Sequence, residues 1–220
     1  LKKILFCGEK LGESTVSKLF ERFENLEIIN YYGPTECTFA VTCDKVKKGE
    51  KISIGIPKKD VKIFIVDDNL QELEENEVGE ILISGESVGS GYLKKELNKD
   101  VFIEFKSEKS YLTGDLGYKS NDKFYCLGRK DKQVKYKGYR VEISEIEAVL
   151  GKLEFIEKAV VVVEFDDDEK ANKIIAFVKE KEECKKSSKE IKEIIKNYLP
   201  DYMIPVIRIV EQFPLNVNGK

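Results

Sequence analysis

The residues best suited to chemistry lie in four short segments, and the first is Asn30-Tyr31-Tyr32-Gly33-Pro34-Thr35-Glu36. A strand that ends in Gly-Pro-Thr exposes backbone N–H groups and a hydroxyl group, both of which suit phosphate oxygens. An adjacent tyrosine ring can stack on a base, and the Glu36 carboxylate can bind a divalent cation. The alternative is an ordinary turn in which Thr35 caps a short helix, and this segment alone does not separate the two interpretations.

The second segment is Tyr111-Leu112-Thr113-Gly114-Asp115-Leu116-Gly117. An aspartate flanked by glycines can approach a ribose diol closely and accept two hydrogen bonds from it. Aspartate–glycine pairs are also common in turns, so the pattern by itself favours an ordinary turn.

The third segment runs from Gly128 to Glu142 and contains Arg129 and Arg140, two of the four arginines in the chain. The planar fork of arginine is hard to replace where an anion is bound through two hydrogen bonds. The alternative is a solvated basic strand. The fourth segment is Val217-Asn218-Gly219-Lys220, which alone indicates no more than a turn with a lysine after it.

The composition narrows the chemistry further. The 220 residues include no histidine, so this chain supplies no Ser-His-Asp triad, Cys-His pair or histidine-ligated zinc. Its 38 basic and 41 acidic residues nearly cancel, which argues against a general nucleic-acid or membrane-surface binder. The five cysteines form no C-x-x-C pair, so reduced thiols in a cytoplasmic protein are expected. No apolar run has membrane-spanning length, so no membrane insertion is expected.

Apolar spacing predicts the elements that position the first two segments. Lys3 to Cys7 is predicted to be a buried strand, Ser14 to Glu24 an amphipathic helix, and Leu26 to Tyr32 a second strand parallel to the first. Ligands of β-α-β units bind at the carboxyl ends of the strands, where the Gly-Pro loop lies. Strands over Val61–Val66 and Glu80–Ile83, with a turn-rich stretch between them, predict an antiparallel middle region.

A third pattern begins beyond Gly128. Two capping-box signatures, Ser144 with Glu147 and Ser187 with Glu190, predict the starts of two helices. The predicted apolar faces are Ile146, Val149, Leu150 and Leu153 in the first helix and Ile191, Ile194, Ile195 and Tyr198 in the second. Strands are predicted over Ala159–Val163, Ile174–Val178 and Val206–Val210. Two helices on one face of a three-stranded sheet make a small α+β domain, so we predict domains at 1–130 and 131–220.

In their order and spacing, these segments resemble the C-terminal half of the adenylate-forming enzymes, which include acyl-CoA synthetases and amino-acid adenylation domains. The resemblance covers essentially the whole chain and extends to Gly79-Glu80-Ile81-Leu82-Ile83-Ser84-Gly85, Gly91-Tyr92-Leu93 and Leu199-Pro200-Asp201-Tyr202-Met203-Ile204-Pro205. It implies an α/β and α+β fold. The first part would be the C-terminal portion of a large adenylation (AMP-binding) domain, with a parallel sheet element and a small β-rich subdomain. A small mobile α+β C-terminal domain would follow.

Within that superfamily, Phe6-Cys7-Gly8-Glu9 and Thr38-Phe39-Ala40-Val41-Thr42 resemble the D-alanine–D-alanyl carrier protein ligases. These enzymes activate D-alanine for teichoic acid esterification, so the resemblance implies the cofactors ATP and Mg. The implied partners are D-alanine or a similar amino acid and an acyl or peptidyl carrier protein with a phosphopantetheine thiol. Two alternatives stay open: an adenylation domain of a peptide synthetase or another acid–thiol ligase, and a non-catalytic fragment that binds nucleotide or carrier.

The resemblance also implies roles residue by residue. Nucleotide binding falls to Gly8, Asn30, Tyr31, Tyr32, Gly33, Pro34, Thr35, Asp115, Cys126, Gly128 and Arg129. Of these, Tyr32 would stack on the adenine and Asp115 would bind the ribose hydroxyls. Glu36 would ligate magnesium, and Cys7 and Phe39 would line the amino-acid pocket. Asp131 would be a hinge, and Lys220 would be the catalytic lysine that also contacts the substrate.

The sequence departs from the family pattern at particular positions. Leu112 stands where the family usually has arginine, and Cys37 stands where alanine or threonine is more usual. The family's phosphate loop and the aspartate that binds the substrate ammonium would both lie upstream of Leu1. A chain that opens in a core strand without methionine is expected to be a fragment, and the isolated chain is expected to be inactive.

Overall fold

The computed structural model describes residues 1–131, 133–181 and 185–213. The chain divides into two compact units, Leu1–Asp131 and Lys132–Lys220. Within the described ranges, no helix combines the length and apolar character needed to cross a membrane.

The first unit opens with a β-α-β element. Strand β1 (Lys3–Phe6), helix α1 (Glu13–Arg22) and strand β2 (Glu27–Tyr32) follow one another, and β1 pairs with β2 in parallel. Val16 of the helix and Ile28 of the second strand are buried in the same apolar core. The predicted β-α-β unit is therefore confirmed, but the prediction that its first strand is buried is wrong, because no residue of β1 is buried and Leu5 is 58% exposed. The unit brings the carboxyl ends of both strands to one edge of the sheet.

Two antiparallel strands complete this first sheet. A 3-10 turn at Thr35–Cys37 is followed by β3 (Thr42–Val46) and β4 (Ile56–Pro57), and the sheet order is β1-β2-β3-β4. The register places Tyr32 opposite Thr42 across β2 and β3.

The middle of the chain forms a second sheet, which is antiparallel as predicted. Its strands are β5 (Val61–Val66), β6 (Gly79–Gly85), β7 (Phe102–Phe105), β8 (Glu108–Ser120) and β9 (Lys123–Arg129), with a 3-10 turn at Lys95–Leu97 before β7. The order is β5-β6-β8-β7, and β9 pairs with β8. Tyr32 of β2 and Val41, just before β3, share a core with Ile81 and Ile83 of β6. This shared core joins the loop after β2 to the second sheet.

The second unit is the small α+β domain that the apolar spacing predicts, with an added hairpin. Its elements are β10 (Gln133–Tyr136), β11 (Tyr139–Glu142), α2 (Ile143–Gly151), β12 (Ile156–Phe165), β13 (Ala171–Glu180), α3 (Ser188–Ile195), a 3-10 turn at Asp201–Met203 and β14 (Val206–Ile209). Strands β12 and β13 are antiparallel, and β13 and β14 are parallel. Ile146 and Leu150 of α2 and Ile191 and Ile195 of α3 are fully buried in its core.

The first predicted capping box is wrong, whereas the second is confirmed. Helix α2 begins at Ile143, so Ser144 lies inside its first turn, where its hydroxyl donates to Glu142 at 2.7 Å. The Glu147 carboxylate instead accepts a hydrogen bond from the N–H of Val161 in β12, at 2.9 Å. At α3, the side chain of Ser187 accepts from the N–H of Glu190, and Glu190 accepts from the N–H of Ser187 at 2.8 Å.

Two further expectations in this part of the chain change. Helix α3 ends at Ile195, so Tyr198 lies beyond it and is 65% exposed instead of lying on the apolar face. The basic segment that begins at Gly128 is not a single site element. Arg129 ends β9 in the first unit, whereas Arg140 lies in β11 in the second.

Candidate functional site

The loop after β2 carries three of the predicted nucleotide-binding residues, Gly33, Pro34 and Thr35, and folds tightly back on itself. A Cβ atom at Gly33 would come within 2.8 Å of the Phe39 carbonyl oxygen, so only glycine allows this close approach. The N–H of Val41 donates to the carbonyl of Tyr32 at 2.8 Å and closes the loop. Thr35 and Phe39 are consequently exposed, with Phe39 showing 65% of its surface.

Cys7 and Gly8 follow β1 at the same sheet edge and are both exposed. Because Phe6 lies opposite Asn30 in the parallel pair, Cys7 and Gly8 leave the sheet beside the end of β2. The structure therefore places two predicted features at one edge of the sheet. They are Cys7, which is predicted to line the amino-acid pocket, and the loop after β2, which is predicted to bind the nucleotide. This edge is where ligands of parallel sheets bind.

Alternation along β2 divides the three predicted residues of this strand between two faces of the sheet. Asn30 and Tyr32 are buried, and the Asn30 amide donates to the carbonyl of Ser53 at 2.8 Å. Tyr31 points to the opposite face, where the Lys58 ammonium lies 4.8 Å from its ring centroid. These residues do not form a single binding surface, and Tyr32 is only 6% exposed.

The centre of the candidate site is a buried group of three side chains from distant parts of the sequence. The hydroxyl of Tyr32 donates to Asp115 Oδ2 at 2.6 Å. The guanidinium of Arg129 donates to Asp115 Oδ1 at 3.0 Å and to the Thr113 carbonyl at 2.9 Å. Asp115 is only 5% exposed, and these two hydrogen bonds occupy two of the about four acceptor positions of its carboxylate.

Strands β8 and β9 position this group through their pairing. Asp115 lies directly opposite Arg129 in the register, beside an irregularity between Leu116 and Gly117. Gly114 has a positive φ of 73°, and a side chain there would collide with the Arg129 guanidinium. The Thr113 hydroxyl donates to the Ile81 carbonyl at 2.8 Å and accepts from the Asp115 N–H at 3.0 Å. In this Thr-Gly-Asp segment, Thr113 therefore binds the neighbouring strand β6 and Gly114 leaves room for the Arg129 guanidinium. Asp115 provides the carboxylate that this guanidinium binds.

Arg129 also binds the predicted hinge residue. Its Nε and Nη2 atoms donate to the two carboxylate oxygens of Asp131 at 2.7 and 2.5 Å. The Asp131 side chain is 44% exposed, whereas that of Arg129 is 16% exposed. One guanidinium thus links the buried carboxylate to the last residue of the first unit.

The environment keeps Tyr32 neutral and Arg129 charged. Burial, and then the neighbouring Asp115 carboxylate, hold the pKa of Tyr32 well above its ordinary value, so its hydroxyl stays a donor. Burial acts to lower the pKa of Arg129, but the carboxylates of Asp131 and Asp115 outweigh it, and the net pKa is raised. The arrangement can therefore hold a neutral polar ligand without proton transfer.

Glu36 lies in the 3-10 turn after the Gly-Pro loop and is half-buried. The hydroxyl of Tyr92 donates to its Oε1 atom at 2.5 Å. Among the residues that the structure describes, no three His, Cys, Asp or Glu side chains form a complete metal site. Mg²⁺ is commonly held by one or two carboxylates together with phosphate oxygens and water, so a single carboxylate beside the loop that is predicted to bind phosphate fits that ion.

The remaining predicted positions lie around this site or outside the described residues. Cys126 is half-buried in β9, Gly128 is exposed, and Pro34 is half-buried. Leu112 is half-buried opposite Leu82 of β6, a position that an aliphatic residue fills well. Lys220 lies outside the described residues.

Two residues that support the site were not predicted from the sequence. Glu80 accepts from the N–H of Gly114 at 2.9 Å and from Lys130 at 3.4 Å, while Tyr92 contacts Glu36. Both lie in the segments Gly79–Gly85 and Gly91–Leu93, which contribute to the resemblance. Position within a motif is the signal that could have identified them.

The chain also matches families of known proteins. The family described as AMP-binding enzyme matches residues 1–93, and the AMP-binding enzyme C-terminal domain matches residues 145–220. The chain belongs to the AMP-binding enzymes.

Among the curated relatives of the chain is the D-alanine--D-alanyl carrier protein ligase of Bacillus licheniformis. It is 36% identical over 231 residues, which cover 100% of this chain and 46% of the relative. The protein of the same name from Streptococcus pyogenes serotype M1 is 35% identical over 235 residues, with the same coverage of 100% and 46%. The chain thus spans about half the length of these relatives.

The chain has the fold of part of the solved structures of adenylation enzymes. The Vibrio cholerae adenylation domain AlmE, in complex with glycyl-adenosine-5'-phosphate, has a TM-score of 0.85 at 27% identity. That match covers 100% of this chain and 43% of AlmE. The peptide-synthetase protein holo-PA1221, which contains adenylation and PCP domains, has a TM-score of 0.87 at 25% identity and covers 100% and 39%.

Proposed function

We propose that the protein carrying this chain is an ATP-dependent ligase. It activates D-alanine as an aminoacyl adenylate. It then transfers the D-alanyl group from this adenylate to the phosphopantetheine thiol of a carrier protein, as in teichoic acid D-alanylation. The observation that carries this proposal is the 36% identity, over the whole chain, to a ligase of that name. The AlmE complex adds support, because a protein of the same fold holds an aminoacyl adenylate.

The site residues fit the nucleotide part of this reaction. Asp115, fixed by Tyr32 and Arg129, would accept the ribose hydroxyls through its two remaining acceptor positions. The exposed Thr35 and the loop N–H groups would face the phosphates. Glu36 would be the protein ligand of Mg²⁺, which when bound neutralises phosphate charge.

The amino acid would lie at the sheet edge beside Cys7 and Phe39. Both residues are exposed there, so they can form one wall of a pocket for a small side chain. Because the chain spans about half the length of the ligases it matches, the remaining walls, including a partner for the substrate ammonium, would come from the rest of the protein.

The chemistry needs no general base, which agrees with a chain that has no histidine. The nucleophile is a carboxylate, whose pKa lies far below neutrality, so it is already ionised. The transition state requires positive charge between this carboxylate and the α-phosphorus, and Lys220 would supply it. In the second half-reaction the lysine would move away to admit the thiol.

Asp131 would serve as the hinge for this movement. It is the last residue of the first unit, and Arg129 holds its carboxylate through two hydrogen bonds. A pivot at this position would leave the nucleotide group of the first unit intact while the second unit rotates.

The deciding experiment is pyrophosphate exchange by the full-length protein with a panel of acids, followed by thioester formation on a carrier protein. Exchange that depends on D-alanine is expected, and Asp131→Pro is expected to retain exchange while thioester formation falls. Indifference to D-alanine with a response to another acid would favour a different acid–thiol ligase. Equal loss of both half-reactions in Asp131→Pro would contradict the hinge.

A further inference from the structure

The Gly91-Tyr92-Leu93 segment has no role in the function proposed so far. Its tyrosine nevertheless contacts Glu36, the carboxylate that is proposed to bind magnesium. The Tyr92 hydroxyl lies 2.5 Å from Glu36 Oε1 and 3.4 Å from the hydroxyl of Tyr111, which is fully buried. We infer that Tyr92 is a positioning residue that orients Glu36 for the divalent cation. This inference rests on the proposed function.

The backbone around Tyr92 is built to hold that hydroxyl in place. Asn98 accepts from the N–H of Tyr92 at 2.6 Å and donates to its carbonyl at 3.2 Å. Gly91 has a φ of 108°, and a Cβ atom there would lie 2.8 Å from the Asn98 amide nitrogen. Glycine is therefore required for the amide of Asn98 to reach both sides of Tyr92.

The ring of Tyr92 is 36% exposed but also has an aromatic packing partner. It packs edge-on against Phe102 with ring centroids 5.3 Å apart, and Phe102 packs in turn on Tyr111 at 5.0 Å. Edge-to-face contacts at this distance are favourable aromatic geometry. The hydroxyl therefore has a defined position and is not the end of a freely moving side chain.

The same loop also binds the backbone that carries Glu36. The N–H of Gly89 donates to the Glu36 carbonyl at 2.7 Å, and the Thr38 hydroxyl donates to the Ser87 carbonyl at 3.1 Å. Both the main chain and the carboxylate of Glu36 are thus fixed by residues 87–92. Hydrogen bonds to ligating carboxylates orient them, and losing such a partner commonly costs 10- to 100-fold in metal affinity.

The test is Tyr92→Phe in the full-length protein, which removes the hydroxyl and keeps the ring. Mn²⁺, measured by electron paramagnetic resonance in the presence of a non-hydrolysable ATP analogue, reports metal binding without turnover. We expect Mn²⁺ to bind about tenfold more weakly. Affinity for the analogue without metal should stay unchanged. Exchange activity should need more Mg²⁺ but recover at saturation.

Two further variants make the result specific. Tyr118→Phe is the matched control, because its hydroxyl also takes part in a hydrogen bond, here as the acceptor from Lys51 at 2.9 Å, but lies outside the proposed site. It should bind Mn²⁺ like the wild type. In a Glu36→Gln background, Tyr92→Phe should cause no additional loss, because the hydroxyl acts through that carboxylate.

Each outcome separates the inference from the function on which it rests. If Glu36→Gln weakens Mn²⁺ binding and Tyr92→Phe does not, the positioning role is refuted and the proposed function stands. A loss of metal-free nucleotide affinity and thermal stability in Tyr92→Phe, equal to its loss of Mn²⁺ binding, would show a merely structural role. If the wild type shows no metal-dependent exchange, the proposed function itself fails.

Discussion

Replacing Asp115 by asparagine tests whether the buried group of Tyr32, Asp115 and Arg129 holds the first unit together. The change keeps the shape of the side chain and removes its charge. Arg129, whose side chain is 16% exposed, then retains a charged partner only in Asp131, and the Tyr32 hydroxyl faces a neutral amide. Hydrogen bonds to charged groups contribute about 1.5–3 kcal/mol, and breaking a buried ion pair costs about 3–5 kcal/mol. Because Arg129 keeps Asp131, we expect about 2–4 kcal/mol of destabilisation.

Asp131→Asn is the matched control, since it removes the other carboxylate that Arg129 binds. The Asp131 side chain is 44% exposed, so solvent screens its charge. Exposed ion pairs contribute at most about 1 kcal/mol. Arg129 makes two hydrogen bonds to Asp131, and both are shorter than its one hydrogen bond to Asp115. The two variants therefore separate the energetic effect of burial from the effect of the number and length of the hydrogen bonds.

Amide hydrogen exchange measures these effects strand by strand. In Asp115→Asn, amides of β8 and β9 should exchange at least about 30-fold faster, since every 1.4 kcal/mol corresponds to a factor of ten. Amides of β12 and β13 in the second unit should not change and serve as an internal reference. If Asp131→Asn accelerated exchange in β8 and β9 as much as Asp115→Asn, the reasoning from burial would be refuted.

Two further predictions concern a helix cap and a buried thiol. Ser187→Ala should destabilise the second unit by about 1 kcal/mol in urea unfolding, because it removes the confirmed cap of α3; Ser144→Ala, inside α2, should cost clearly less, and equal costs would contradict the capping assignment. Burial, and then the Glu36 carboxylate, raise the pKa of the Cys37 thiol from 9.0 to about 12. The folded chain keeps this proton at pH values where the unfolded chain releases it, so the associated stability is complete below pH 9 and is lost toward pH 12. The difference in unfolding free energy between the wild type and Cys37→Ala should shrink over that range, and a constant difference would contradict the raised pKa.

Local signals in the sequence were sufficient where neighbouring residues decide the structure. The helical spacing of Val16, Leu19 and Phe20 and the apolar runs around it predict the β-α-β unit without any long-range information. The same holds for the antiparallel middle strands and for the sheet of the second unit. In each case one apolar face can be buried in only one way, because side chains repeat at 3.6 residues in helices and at 2 residues in strands.

Local signals failed where a tertiary contact competes for the same group. The Ser144 and Ser187 patterns look alike, but β11 ends at Glu142 and α2 starts at Ile143, two residues earlier than a cap at Ser144 would allow. The Glu147 carboxylate then binds an N–H of β12 instead of its own helix terminus. The position of β12 cannot be read from the residues next to Glu147 in the sequence.

The sequence by itself determined the elements and the types of residue available for chemistry, including the absence of histidine and the Gly-Pro-Thr-Glu and Thr-Gly-Asp segments. Only the tertiary structure decided which of them meet. Tyr32 and Asp115 are 83 residues apart in the chain, and Glu36 and Tyr92 are 56 apart, yet each pair shares a hydrogen bond. Strand positions decide the first contact, because a shift by one residue would turn Tyr32 or Asp115 to the opposite face of its sheet. The second contact joins a 3-10 turn to a loop, and it depends on how the chain between the strands folds back.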